Sequence, residues 1–110
     1  MQEQPLFPPD ISKVVSLPDE TQFAPNGIVS RTLLSTPQIR VVLFGFSLGQ
    51  ELTEHTSTRR AVIQILSGRC EFTVNRNAYQ LKAGDLLHMP PNAPHAVRAL
   101  EPFSMLLTLT

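Results

Sequence analysis

The segment 84-GDLLHMPPNAPHAVRA-99 carries His88 and His95, two of the chain's three histidines, and sets three prolines between them. Proline fixes the φ angle and narrows the freedom of a loop, and asparagine tolerates turn positions that other residues avoid. The run Pro90–Pro94 therefore predicts a stiff turn that delivers His95 into the next strand at a set angle. A metal ligand or a general base needs an angle of that kind.

The third histidine, His55, lies upstream in the segment 49-GQELTEHTSTRRAVIQILSG-68. Fifteen residues, 69–83, separate this segment from the one that contains His88 and His95. Both segments begin at a glycine and carry histidine near a predicted strand.

Around these segments the chain alternates short apolar runs with scattered prolines and glycines, which is typical of β-structure. No window sustains a helical apolar period over three turns. The pattern predicts eight strands: Ile28–Leu34, Ile39–Phe46, Ala61–Leu66, Cys70–Val74, Ala78–Leu81, Asp85–Met89, His95–Ala99 and Phe103–Leu109. One hairpin is predicted with Asn75, Arg76 and Asn77 at its tip. Eight short strands without a crossover helix predict an antiparallel sandwich or a small closed barrel.

Residues 1–27 hold five of the ten prolines and predict an extended arm, which precedes a barrel formed by residues 28–110. The strands 39–46 and 103–109 are apolar on both faces, whereas a strand in a two-layer barrel needs only one buried face. The extra apolar face predicts that a second subunit covers it, and therefore that the protein is a homodimer. The alternative is that the arm covers this face within one chain.

The composition limits the function classes. Nine basic residues balance nine acidic ones, so no overall field favours nucleic acid or an anionic membrane as a partner. The start of the chain lacks the pattern of a signal peptide, and no apolar run is long enough to cross a bilayer. Cys70 has no cysteine to pair with, which favours the cytoplasm and a small buried thiol. A glycine-rich phosphate loop, a nucleophile elbow and a CxxC pair are all missing from the sequence.

The glycine, histidine, proline and asparagine spacings of the two segments together resemble the paired signature motifs of the cupin superfamily. The resemblance covers about Ile39 to Leu109. It implies an all-β fold, a small double-stranded β-helix (cupin or jelly-roll) barrel of the cupin 2 type, here preceded by the proline-rich arm. It also implies a barrel that is usually dimeric, with a pocket for a metal or a small-molecule ligand in its mouth.

In typical cupins the first motif supplies two histidines and a glutamate, the second motif supplies one histidine, and all four converge on a divalent metal. Carried over to this sequence, His55 matches the first histidine and His95 matches the last. Ser57 stands in place of the second histidine, and Ala61 stands in place of the glutamate. Half of the usual ligand set is therefore missing, which bears on metal binding and not on the fold.

His88 is an additional ligand candidate. On the strand 85–89, Leu86 and His88 share one face while Leu87 and Met89 share the other, and periodicity leaves open which face is inside. If His88 points inward, it completes a three-imidazole site with His55 and His95, suited to Zn²⁺, Fe²⁺, Ni²⁺ or Cu²⁺. The alternative is a hydrogen-bonded core or surface histidine.

Other polar residues of the first segment are weaker candidates. If Arg60 turns into the barrel, it could hold a carboxylate or phosphate by a bidentate contact, and the alternative is that Arg59 and Arg60 are both solvated on the rim. Glu51 and Glu54 flank His55 and could supply a carboxylate ligand or a general acid, and the favoured alternative is a charged loop that faces solvent.

Two functions remain open at the level of sequence. The first is a metal-dependent enzyme acting on a small organic molecule, with dioxygenase, decarboxylase or isomerase chemistry implied by the resemblance. The second is a metal-free module that binds or senses a small molecule in an apolar barrel, with the histidines as polar anchors. The missing ligands at Ser57 and Ala61 favour the second.

Overall fold

The computed structural model describes residues 4–110 of the chain and is almost entirely β-structure. A four-residue helix, α1, spans Leu17–Glu20. The strands are β1 Ile28–Ser35, β2 Arg40–Phe46, β3 Glu51–His55, β4 Ala61–Ser67, β5 Arg69–Val74, β6 Asn77–Lys82, β7 Leu86–Met89, β8 His95–Ala99 and β9 Phe103–Leu109. Within residues 4–110, no helix is long and apolar enough to cross a membrane.

The strands form two antiparallel sheets that face each other across one core. The larger sheet has the order β1-β2-β9-β4-β7, and the smaller has the order β3-β8-β5-β6. Alternate side chains of each strand point between the sheets, as in β4, where Ala61, Ile63 and Ile65 are buried. Phe46 and Phe103 stack in the core with ring centroids 4.6 Å apart. The predicted all-β barrel fold is confirmed.

The structure adds one strand to the eight that periodicity predicts. β3 is a strand although Leu52 is its only aliphatic residue, and most of its side chains are exposed. It lies at the edge of the smaller sheet, paired only with β8. An edge strand with a solvated face needs little apolar character, so the sequence gives no β signal there.

The β5–β6 hairpin turns on two residues instead of the three predicted. Asn75 and Arg76 have φ angles of 49° and 69°, and Val74 pairs directly with Asn77. Positive φ at both central residues is typical of a type I′ turn, whose twist matches that of the paired strands. Asn77 therefore already belongs to β6.

The predicted arm packs along the larger sheet over the residues that the structure describes, and residues 1–3 of it lie outside them. Phe7 donates a backbone hydrogen bond to the carbonyl of Leu33, and Glu20 forms an ion pair with Arg31 at 2.6 Å. Gly45 faces the arm so closely that a Cβ there would overlap the carbonyl oxygen of Gln22. The arm thus covers the outer face of β2 within one chain.

Part of the outer face of the larger sheet is not covered by any of the residues 4–110. Val62, Leu106 and Thr108 are half-buried there, and Leu86 on the edge strand β7 is 69% exposed. Leu106 and Thr108 belong to the doubly apolar strand 103–109, and Val62 and Leu86 lie on the neighbouring strands β4 and β7. The homodimer stays a prediction, now restricted to this part of the face.

Two glycines with nearly equal φ angles differ in what surrounds them. Gly49 has φ +79° and open space around its Cα, whereas Gly68 has φ +75° and lies against the backbone of Pro102 and Phe103. A Cβ at Gly68 would overlap the carbonyl oxygen of Pro102. The backbone turn between β4 and β5 therefore requires glycine for steric reasons as well as conformational ones.

We expect Gly68→Ala to destabilise the protein by at least about 2 kcal/mol more than Gly49→Ala, measured by urea unfolding. Gly49→Ala is the matched control, because it carries the same positive-φ penalty of about 1 kcal/mol without the overlap. Equal losses in the two variants would show that the close approach of Pro102 does not constrain this turn.

Candidate functional site

A cavity of about 130 Å³ opens between the two sheets on the side of the histidine segments. Its walls are mostly apolar. They are formed by side chains of both sheets, chiefly Phe44, Leu52, Ala61, Ile63, Phe72, Met89, Pro90, Ala93, Val97, Met105, Leu107 and Leu109. The polar residues of the lining are His55, Ser57, Arg59 and His95.

The pairing of β3 with β8 brings two of the three histidines together. His55 and His95 are direct cross-strand partners, and their ring centroids lie 4.2 Å apart. His55 is exposed, His95 is half-buried, and both line the cavity. This pair is the polar end of an otherwise apolar site.

A β-bulge in β3 directs His55 to the cavity. Leu52 pairs with Val97 and His55 pairs with His95, so three residue steps on β3 match two on β8. In a regular strand, Leu52 and His55 would lie on opposite faces, because side chains alternate. The one extra residue reverses the alternation, and both side chains reach the cavity.

Backbone carbonyls orient both imidazole rings. The Nδ1 of His55 donates to the carbonyl of Thr53 at 2.8 Å, and the Nδ1 of His95 donates to the carbonyl of Ala93 at 2.9 Å. A carbonyl oxygen only accepts, so Nδ1 carries the proton and Nε2 of the neutral ring keeps its lone pair. In the part of the chain that the structure describes, neither Nε2 has a hydrogen-bond partner. Both rings thus offer an acceptor at the cavity.

The proline-rich turn before β8 has the geometry that its sequence predicts. The amide of Ala93 donates to the carbonyl of Pro90, and Asn92 has φ +69°. Proline in the second position and asparagine with a positive φ in the third are typical of a type II β-turn. The amide of Asn92 also donates to the carbonyl of Ser57 at 2.7 Å, which joins the two histidine segments.

His88 lies on the other side of β7, away from the pair. Met89 pairs with Ala61 and is buried against the cavity, so strand alternation turns His88 outward, where it is exposed. Its Nε2 accepts a hydrogen bond from Nη1 of Arg60 at 2.6 Å. The three histidines therefore do not converge, and the three-imidazole site is corrected to a two-imidazole site.

Arg60 also lies outside the cavity because successive side chains alternate in direction. Arg59 lines the cavity instead. Ala61 faces inward, so Arg60 turns out and Arg59 turns in. Arg59 is half-buried, and its Nη2 donates to the carbonyl of Leu109 at 3.4 Å. From the sequence, Arg60 was a candidate for this role only if it turned into the barrel, and the alternative was that both arginines are solvated on the rim. The inward position of Ala61, implied by the motif match, is the signal that points to Arg59.

The remaining candidates of the first segment are placed as follows. Ser57 and Ala61 line the cavity, and the Ser57 hydroxyl accepts a hydrogen bond from the amide of Arg59 at 3.2 Å. Glu51 and Glu54 are exposed on the opposite face of the smaller sheet.

Cys70 is fully buried in the core and does not line the cavity. Burial, with a smaller contribution from the charge of Asp85, raises the pKa of its thiol to about 12. The thiol is therefore protonated at neutral pH and is not a nucleophile. Asp85 itself accepts a hydrogen bond from the amide of Lys82, which lowers the pKa of the carboxyl group and fixes the turn before β7.

Comparison with known proteins identifies the family. A family model described as a cupin domain matches residues 42–109, which is more than half of the chain. The chain belongs to the cupin family. A conserved protein of unknown function from Streptococcus pyogenes is 32% identical over the whole of this chain and 95% of its own, with a TM-score of 0.85.

Two further crystal structures share the fold of this cupin. A cupin superfamily protein from Desulfitobacterium hafniense is 21% identical over 99% of this chain and 97% of its own, with a TM-score of 0.84. An RmlC-like cupin from Desulfovibrio desulfuricans is 26% identical over 91% of this chain and 97% of its own, with a TM-score of 0.82. No functionally curated protein shows significant similarity to the chain.

The donor set of this cupin does not fit a tightly held divalent metal. Protein sites for such ions use three or four side-chain ligands. Among residues 4–110, no group of three or more His, Cys, Asp or Glu side chains is placed to hold one. The pair supplies two imidazole nitrogens, and the other two motif positions present the Ser57 hydroxyl and the Ala61 methyl group.

Restoring the two missing side chains tests whether this site differs from the metal site of typical cupins only in its ligands. We expect the double variant Ser57→His and Ala61→Glu to be less stable than the parent without metal, because it buries a carboxylate at a position that is 4% exposed. Zn²⁺ at about a hundredfold excess over its Kd should then raise the Tm by about 10 °C, measured by calorimetry.

The matched control is Ser57→His with Ala61→Gln, which has the same side-chain volume at residue 61 without the charge. It should gain much less from Zn²⁺, and the parent should gain least. No difference in the Zn²⁺ response between the double variant and this control would mean that residue 61 does not face the metal position.

Proposed function

We propose that this cupin binds a small, mostly apolar molecule in the cavity between its sheets, without a resident metal. The observation that carries the proposal is the state of the two rings. The Nε2 atoms of His55 and His95 have no partner among the described residues, and no third metal ligand accompanies them. Two acceptors at one end of an apolar cavity suit a ligand with a polar group and an apolar body.

The size of the cavity limits the ligand. A volume of about 130 Å³ is close to that of a cavity that holds benzene, about 150 Å³. The apolar body of the ligand therefore has roughly six to eight non-hydrogen atoms. Ligands of this size reach Kd values of about 1 mM with ordinary efficiency.

The arrangement also suits general base catalysis on the bound molecule. A neutral imidazole whose Nδ1 is fixed by a carbonyl can take a proton at Nε2. Because both rings are fixed in this way, either could accept a proton from a ligand held between them. Binding comes first in this proposal, and turnover would be an addition to it.

The alternative is the metal-dependent enzyme that the family suggests. One feature favours it: metal-binding histidines usually donate their second ring nitrogen to a backbone carbonyl or carboxylate, as both rings do here. Against it stands the donor set, which is two ligands short of the typical cupin site. A single measurement of metal content separates the two functions.

Metal content should be measured by mass spectrometry on untagged protein purified without chelator, after incubation with Zn²⁺, Fe²⁺ or Ni²⁺ and gel filtration. We expect well below one metal per chain, about 0.1 or less, because two imidazoles alone exchange their metal readily. About one metal per chain, lost in both His55→Ala and His95→Ala, would contradict the proposal and establish the alternative.

Binding should be measured on the same protein with methionine labelled at its ¹³C methyl group. Met89 and Met105 both line the cavity, so an occupant will shift their methyl resonances. We expect at least one of phenol, benzamide and benzoate at millimolar concentration to shift both signals, and His55→Ala to weaken the effect for a probe that contacts Nε2. Unchanged methyl signals with all three probes would contradict a binding function for this cavity.

A further inference from the structure

The cavity contains one permanent positive charge and no negative one. Arg59 is charged at any physiological pH, and the two imidazoles are neutral or positive. Of the residues in 4–110 that line the cavity, none is acidic. The glutamates of β3 and β5 line a groove on the opposite face of the smaller sheet. The charge of the guanidinium is thus not balanced inside the site.

Arg59 also has hydrogen-bond donors to spare. Arg31 and Arg98 form ion pairs with Glu20 and Glu71, but Arg59 has no carboxylate within 4 Å in the described part of the chain. Its guanidinium makes one long hydrogen bond, 3.4 Å to the carbonyl of Leu109. A guanidinium has five donor hydrogens, and partial burial without an anion is unfavourable.

From these two observations we infer that the ligand of this cupin is an apolar monocarboxylate and that Arg59 binds its carboxylate group. The inference rests on the proposed function and specifies the class of molecule. The planar guanidinium matches a carboxylate in a two-point contact, and the apolar walls receive the rest of the ligand. A carboxylate oxygen only accepts, so the Nε2 atoms of His55 and His95 accept a hydrogen bond from a separate donor group of the ligand.

A carboxylate fits this site better than a phosphate group. A phosphate dianion brings more acceptor atoms and more charge than one guanidinium can satisfy, and the surrounding walls are carbon. A neutral molecule of the same shape would leave the Arg59 charge unbalanced. The preference for a carboxylate should therefore be measurable as tighter binding of the anion than of its neutral analogue.

Benzoate and benzamide form the test pair, because they share shape and size and differ in charge at pH 7.5. Their Kd values are measured from the Met89 and Met105 methyl shifts in the 110-residue chain. We expect benzoate to bind at least about tenfold more tightly than benzamide, and Arg59→Gln to weaken benzoate by a similar factor while leaving benzamide nearly unchanged.

Arg60→Gln is the matched control, since it removes the neighbouring arginine on the outer side of the strand. It should leave the benzoate Kd unchanged, and the Tm of each variant reports its folding. If Arg59→Gln does not fold, Arg59→Lys replaces it; we expect a partial loss, because the charge remains and the two-point contact is lost.

The outcomes separate the two proposals. Equal binding of benzoate and benzamide to the parent, or equal effects of Arg59→Gln and Arg60→Gln on benzoate, would overturn the carboxylate inference and leave the binding function intact. A methyl shift with phenol but with neither benzoate nor benzamide would overturn the carboxylate inference alone, and no shift with any of the three probes would overturn both. Loss of benzoate binding in Arg59→Gln alone, with benzamide retained, would support the inference.

Discussion

The candidate site depends on one irregularity, the extra residue in β3 between Leu52 and His55. Without this bulge, His55 would face the acidic outer groove of the smaller sheet, and His95 would be the only imidazole in the cavity. The same irregularity places the Thr53 carbonyl where it accepts the proton of the His55 ring. The bulge therefore sets both the direction of the ring and the nitrogen that stays free.

The sequence was sufficient for most of the fold and for half of the site. Apolar runs separated by turn residues predicted eight strands, because buried strands need apolar side chains on at least one face. The spacing of the two histidine segments led to the cupin family, which the comparisons confirm. The match also paired His55 with His95 and placed Asn92 at a turn position, where the structure has φ +69°.

The rest of the site depends on the direction in which individual side chains point, and composition does not encode that direction. β7 is apolar on both faces apart from His88, so only its pairing with β4 shows that this ring points outward. Arg59 and Arg60 are chemically identical, and only the inward position of Ala61 distinguishes them. β3 was not predicted because it lacks an apolar pattern. Its bulge, which directs His55 to the cavity, could therefore not be predicted either. These gaps coincide with the function, because they concern which polar groups share the cavity.

Both cavity rings hold their proton on Nδ1 and keep Nε2 as a free acceptor. Two-dimensional ¹⁵N spectra of the imidazole nitrogens, recorded at about pH 8.5 where ordinary histidines are neutral, measure this directly. We expect the Nδ1–H tautomer for both His55 and His95. Finding Nε2–H as the main tautomer of either ring would contradict it, because that ring would then not donate to its carbonyl or offer a lone pair to the cavity.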